Sequence, residues 1–121
     1  MQEHIQNELA SFIANCDWEK IAPHFKEDAA YRVLDWVGCA VAGEHYPQVE
    51  IAQKYFIENG DQGNSTVIGH QIKCSPRTAA FLNGIAGHVC ELDDGHRTAI
   101  GHPGSIAVPT ALALGEHLNA S

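Results

Sequence analysis

Six ionisable side chains, Glu91, Asp93, Asp94, His96, Arg97 and His102, fall within one stretch of twelve residues. Carboxylates and imidazoles gathered in one place suit proton transfer, because neighbouring charge and burial bring their acid and base forms into balance near neutral pH. His102 directly precedes Pro103-Gly104, a helix start whose free backbone N–H groups attract anions. It is therefore the candidate general acid or base, with Asp93 or Asp94 as the carboxylate that orients it. Arg97 is the one nearby cation for an anionic substrate, and Glu91 and His96 complete the candidate binding set. The alternative is an ordinary solvated loop whose carboxylates cap the next helix and pair with Arg97. Asp93, Asp94, His96 and His102 are also metal ligands by type, but D-D-x-H-x5-H is no strong ligand signature, and no metal is expected. The sequence has no phosphate-cradling glycine loop and no G-x-S-x-G turn, so neither nucleotide binding nor serine hydrolysis is indicated.

The setting of this loop is unusual. From Thr78 to Gly115 the only formally charged residues are Glu91, Asp93, Asp94 and Arg97. Uncharged segments, 78–90 and 98–115, flank them and read as core helices around a polar loop. Isolated buried charge costs several kcal/mol per ion, roughly, so such groups are paired or used. The first segment opens with Ser75-Pro76, an N-cap followed by proline at the first helical position. Gly84 and Gly87 weaken that helix and imply close approach of another helix or a ligand. His88, among small residues, reads as a hydrogen-bonded core histidine. The second segment reads as a buried helix begun near Pro103 and disturbed or restarted at Pro109.

Upstream the pattern is helical as well. Ile5, Leu9, Phe12 and Ile13 form one face of an amphipathic helix ending near Cys16. Asp17 is a cap before a short Trp18–Ala22 segment. After Pro23 comes a helix that is apolar around most of its circumference from Val33 onward, and so buried on several sides, until Gly43 stops it. A third helix runs from about Tyr46 or Pro47 to Asn59, with Gly60 as its stop. Residues 60–75 are turn-rich, with a short strand at Thr66-Val67-Ile68. The expected architecture is all-α, a helical bundle with one short strand or irregular segment near 64–70.

Composition narrows the function classes. The 121 residues are 45% apolar and 18% charged, which is globular rather than disordered and too interrupted for a membrane span. Net charge is −8 with only 7 Lys and Arg, which disfavours nucleic acid and anionic membranes as partners. The N-terminus has neither the basic nor the apolar region of a secretory signal. The four cysteines lack a C-x-x-C pair and suit reduced thiols, so the expected location is the cytoplasm.

Several blocks in order carry a family resemblance: Leu34-Asp-Trp-Val-Gly-Cys-Ala-Val-Ala-Gly43, Thr66-Val-Ile-Gly69, Ala79-Ala-Phe-Leu-Asn-Gly-Ile-Ala86, Glu91-Leu-Asp-Asp94, Gly101-His-Pro-Gly104 and Pro109-Thr-Ala-Leu-Ala-Leu-Gly-Glu116. Together they resemble the N-terminal part of the MmgE/PrpD family, from about Leu9 to His117. The resemblance implies an all-helical domain whose lid domain and remaining core lie outside these residues. It further implies cofactor-independent chemistry, commonly in homodimers. The implied substrates are small di- and tricarboxylates, handled by proton transfer next to a carboxylate in dehydration, decarboxylation or epimerisation. Family positions fall on Glu91, Asp93, Asp94 and His102; Gly95 stands where many members carry threonine, which bears on substrate choice.

One arginine is thin provision for two or three substrate carboxylates. The expectation is thus a truncated polypeptide, inactive alone, completed by a homo-oligomer or a complementing chain. Two other classes fit the residues: a non-catalytic helical association module using the apolar faces, and a small metal-dependent hydrolase using Asp93, His96 and His102.

Overall fold

The computed structural model describes residues 2–120 and divides into two compact units, 1–30 and 31–121. The first contains α1 (Gln2–Ala14), a 3-10 turn (Trp18–Lys20) and the start of α2 (Pro23–Gly43). Asp17 caps the turn, its carboxylate accepting from the Glu19 N–H at 3.1 Å. Lys26 lies 4.7 Å above the Trp18 ring. The apolar stripe of α1 has the expected spacing, yet Ile5, Leu9, Phe12 and Ile13 are all exposed. Periodicity identifies a face that prefers burial; nothing among the described residues buries this one.

The second unit continues with the rest of α2, then α3 (Pro47–Glu58), the strands β1 (Ser65–Val67) and β2 (Ile72–Cys74), α4 (Pro76–His88) and α5 (Gly104–Leu118). The fold is mostly α, as expected, but the strand segment extends further. Thr66 pairs with Lys73 in an antiparallel hairpin, turned through Gly69 at φ +80°, where a side chain would be strained. Three residues alternate too briefly to announce β2. Asn83 of α4 finishes the hairpin's bonding: its side chain accepts from Ile68 N–H and donates to Thr66 C=O, both at 2.9 Å. A helix thereby stands in for a third strand.

Helix α4 is central. It buries Leu82 with Val67, Cys74, Ala79 and Ala113 in one cluster, and Ala86 with Trp36, Ala40 and Val49 in another. The expected cap holds, with the Ser75 hydroxyl accepting from Thr78 N–H at 3.4 Å. Both glycines meet neighbours as predicted. A Cβ on Gly84 would stand 3.2 Å from the Ser105 carbonyl, and one on Gly87 would stand 2.5 Å from the Trp36 ring nitrogen.

Two burial expectations need correction. Helix α2 buries Trp36, Cys39, Ala40 and Gly43, whereas Leu34 and Val41 are exposed. Helix α5 buries Pro109 and Ala113 but exposes Ile106, Leu112, Leu114 and Leu118. Neither is buried on several sides, because the described residues pack only one side of each. Helix α5 also runs unbroken through Pro109. Proline removes the N–H that would bond the Ser105 carbonyl four residues earlier, and that carbonyl lies against Gly84 instead. Among the described residues no helix is long and apolar enough to cross a membrane.

Glu116 clamps the hairpin to α5. Its carboxylate accepts from Thr66 N–H at 2.6 Å, the Thr66 hydroxyl at 2.7 Å and Lys73 Nζ at 2.6 Å. The Lys73 ammonium, then the Thr66 donors, hold its pKa at about 2, below the ordinary 4.5. A lowered carboxylate pKa stabilises the fold above the ordinary value and loses that effect as pH falls through the lowered one. Glu116→Gln is expected to cost about 1 kcal/mol at neutral pH, a figure reduced for solvent screening of a partly exposed group. Urea titrations should show the gap closing between pH 4.5 and about 2; a constant gap across that range would refute the clamp.

Candidate active site

Helix α4 ends at His88, and the chain turns back sharply to present Asp93. Glu91 makes that turn in the left-handed region, at φ 50°, its N–H bonded to the His88 carbonyl at 2.8 Å. A non-glycine residue adopts this conformation at a cost of roughly 1–2 kcal/mol. Asp93 then tucks in with its side chain 0% exposed. Three groups from two helices and the loop converge on this carboxylate.

His88 Nδ1 lies 3.1 Å from Oδ1 and 3.2 Å from Oδ2. The Ser105 hydroxyl donates to Oδ2 at 2.5 Å. His102 Nδ1 stands 3.3 Å from Oδ1 but is not aligned for a hydrogen bond. The two imidazoles meet edge to face, ring centres 4.6 Å apart. Behind them the Trp36 indole N–H donates to Ser105 Oγ at 3.1 Å. A Trp36–Ser105–Asp93–His88 chain results in which each hydrogen has one direction to point. Ser105 receives from Trp36 and so turns its own proton to Asp93.

Burial alone would raise the Asp93 pKa. The Ser105 hydroxyl, the His88 hydrogen bond and the imidazole charges outweigh it, and the carboxyl lies below its ordinary 3.8. The anion is thus the resting form, which is the form that orients an imidazole. The ring faces are not sealed. His88 and His102, with side chains 46% and 37% exposed, line an open cleft of about 690 Å³. Phe81, Ile85, Ile106 and Pro109 form apolar walls around them.

The remaining sequence candidates are placed differently. Asp94 Oδ1 accepts from Gly104 N–H at 2.8 Å, capping α5 at the terminus where anions are favoured. That N–H is therefore already matched by a carboxylate. His96 Nδ1 accepts from Ala99 N–H at 3.0 Å, and its backbone bridges Gly101. Glu91, His96 and Arg97 are exposed. Among the described residues none of the three bonds to Asp93. None of the three lines the cleft that His88 and His102 open onto.

Sequence reasoning missed three members. His88 is hydrogen-bonded, as read, but it faces the cleft rather than the core. Its signal was its place at a helix end, five residues before Asp93. Ser105 and Trp36 passed as helix filler. Only the first had a local cue, a hydroxyl one turn after His102.

A family model described as the MmgE/PrpD N-terminal domain matches residues 7–121. The chain is 30% identical over 113 residues to the cis-aconitate decarboxylase-like protein oryM of Aspergillus oryzae, covering 93% of this chain and 23% of that protein. It is 34% identical over 87 residues to cis-aconitate decarboxylase of Homo sapiens, covering 71% of this chain and 18% of the human protein. It therefore spans about a fifth of the length of these relatives.

Proposed function

We propose that this chain, which belongs to the MmgE/PrpD N-terminal domain family, supplies the proton-transfer side of a lyase pocket for small di- and tricarboxylates. The observation that carries the reading is the buried Asp93 carboxylate with two imidazoles ranged along the cleft in front of it. The two relatives, a cis-aconitate decarboxylase-like protein and a cis-aconitate decarboxylase, favour decarboxylation of an unsaturated tricarboxylate over dehydration or epimerisation.

In such a reaction the C–C bond to a departing carboxylate breaks, CO2 leaves, and the electron pair is held by conjugation until a proton reaches carbon. His102 delivers that proton, because its Nδ1 faces Asp93 and leaves the other ring nitrogen for the substrate. Asp93, 3.3 Å from that ring, balances its charge. Asp94 holds the start of α5, and with it His102, in place. Arg97, the one cation of the loop and exposed, receives one substrate carboxylate, with Glu91 and His96 as further contacts.

A tricarboxylate needs more positive charge than one arginine, and electrostatic stabilisation of the developing anion is commonly the largest catalytic contribution. The further cations come from chain beyond these residues or from a second copy. The same addition would cover the bare apolar faces of α2 and α5. The test is NMR of this chain with cis-aconitate, citrate and aspartate-type dicarboxylates. Expected is perturbation of the His88 and His102 ring resonances without net product. Robust turnover by these 121 residues would overturn the incompleteness, and ring resonances indifferent to every carboxylate would overturn the site.

A further inference from the structure

We infer that His88, Asp93 and His102 form a binding site for a divalent transition metal of the zinc class, whose occupation takes both imidazoles out of proton transfer. One imidazole nitrogen from each histidine and one carboxylate oxygen lie within 4.8 Å of one another. Two imidazoles and a carboxylate are a donor set that Zn²⁺, Co²⁺ and Ni²⁺ favour. The spacing is more telling than the residue types. With metal–ligand bonds of about 2.0–2.1 Å, tetrahedral geometry separates neighbouring donors by roughly 3.3–3.4 Å. His88 Nδ1 and His102 Nδ1 already stand 3.1 and 3.3 Å from Asp93 Oδ1. The third edge, between the two imidazoles, is within 4.8 Å, and both rings are exposed enough to rotate toward a shared ion.

An independent observation points the same way. His102 Nδ1 is buried and has no hydrogen-bond partner, although a carboxylate oxygen lies beside it. A ring nitrogen beside a carboxylate oxygen but not pointed at it leaves a place for a cation between the two. The other Asp93 oxygen is meanwhile held by Ser105, itself held by Trp36. Outer partners of this kind orient a ligating carboxylate. Both rings line the open cleft, so an ion has a path in and a free fourth position.

This set differs from the one the loop's sequence suggested. Asp94 is committed to Gly104 and His96 to Ala99, and His88, from the helix before the loop, replaces them. Metal binding stands on the geometry of three side chains; its effect on proton transfer rests on the lyase reading.

Cobalt(II) titration of the reduced chain tests it. Expected is saturable binding of one ion with visible absorption of tetrahedral type and no thiolate charge-transfer band. Affinity should fall at least about tenfold in both His88→Ala and His102→Ala and stay unchanged in His96→Ala. Circular dichroism checks that each variant is folded. A second measurement needs no variant: substoichiometric cobalt should broaden the His88 and His102 ring resonances first. No saturable absorption, a thiolate band, unaltered affinity in the two histidine variants, or broadening elsewhere would each overturn the site. Carboxylate binding without metal binding would sink this inference alone, and the reverse result would sink only the lyase reading.

Discussion

Asp93→Asn should abolish the resting order of the His88 imidazole and remove the charge beside His102, while leaving the shape of the loop almost unchanged. The amide keeps the size of the side chain and an oxygen for the Ser105 hydroxyl. It loses the negative charge that His88 and His102 share. In a polypeptide carrying the complete pocket, kcat should fall by about 10²–10⁴, the range over which a misoriented or wrongly protonated base loses its effect. In this chain the readout is the tautomer of each histidine by nitrogen NMR, which should become mixed at His88. The substitution should also cost about 1–3 kcal/mol of stability at neutral pH, as loss of charged hydrogen bonds generally does. The pH dependence gives the sign. The Asp93 pKa is lowered on folding, so its stabilisation is present above the ordinary 3.8 and is lost as pH falls through the lowered value. Parent and variant should therefore converge in acid. Equal tautomer populations in the two proteins would remove Asp93 from the site.

The second large effect lies outside the polar loop. Gly87→Ala places a methyl group where the Trp36 ring now sits, 2.5–2.8 Å from Nε1, Cε2 and Cζ2. The ring is 2% exposed and tied to Ser105, so it has little room to give way. Overpacking of this kind costs about 1–3 kcal/mol, partly offset by up to about 1 kcal/mol of helix propensity gained on replacing glycine. A net loss of about 2 kcal/mol is expected. Gly38→Ala is the matched comparison, since nothing lies within 4 Å of its Cβ. That change should stabilise by about 0.4–1 kcal/mol through reduced freedom of the unfolded chain. Denaturation of both variants decides the point. If Gly87→Ala also stabilised the protein, Trp36 would not be packed on α4 as described. A displaced ring releases Ser105, so the same variant should loosen the Asp93 hydrogen bond some distance from the mutated residue.

Much of this was readable in advance where the cause is local. Ser75-Pro76 starts α4 because a hydroxyl and a missing N–H satisfy a helix end by themselves. Gly84 and Gly87 announced close approach because nothing but packing explains two glycines inside a helix. The crowding of charge at 91–97 between uncharged segments marked the loop. By contrast, Pro109 suggested a break that did not occur, because the cost of its lost hydrogen bond depends on what meets the freed carbonyl. Here that is Gly84. Helices α2 and α5 were expected to be buried and are covered on one side only, since an apolar sequence states a preference and not the presence of a partner.

The sequence by itself determined the helical order, the family and the loop on which ionisable groups concentrate. All three rest on patterns within a few turns of chain or on blocks in a recognisable order. The tertiary structure alone decided how those groups divide. Asp93 goes to the imidazoles and Asp94 to the helix cap, and adjacent residues of one type cannot be told apart without the direction each side chain takes. It alone brought Trp36 to Ser105, sixty-nine residues away. A bond of 3.1 Å across that separation is set by how α2, α4 and α5 pack, through a glycine that lets the ring in. No spacing along the chain encodes that distance.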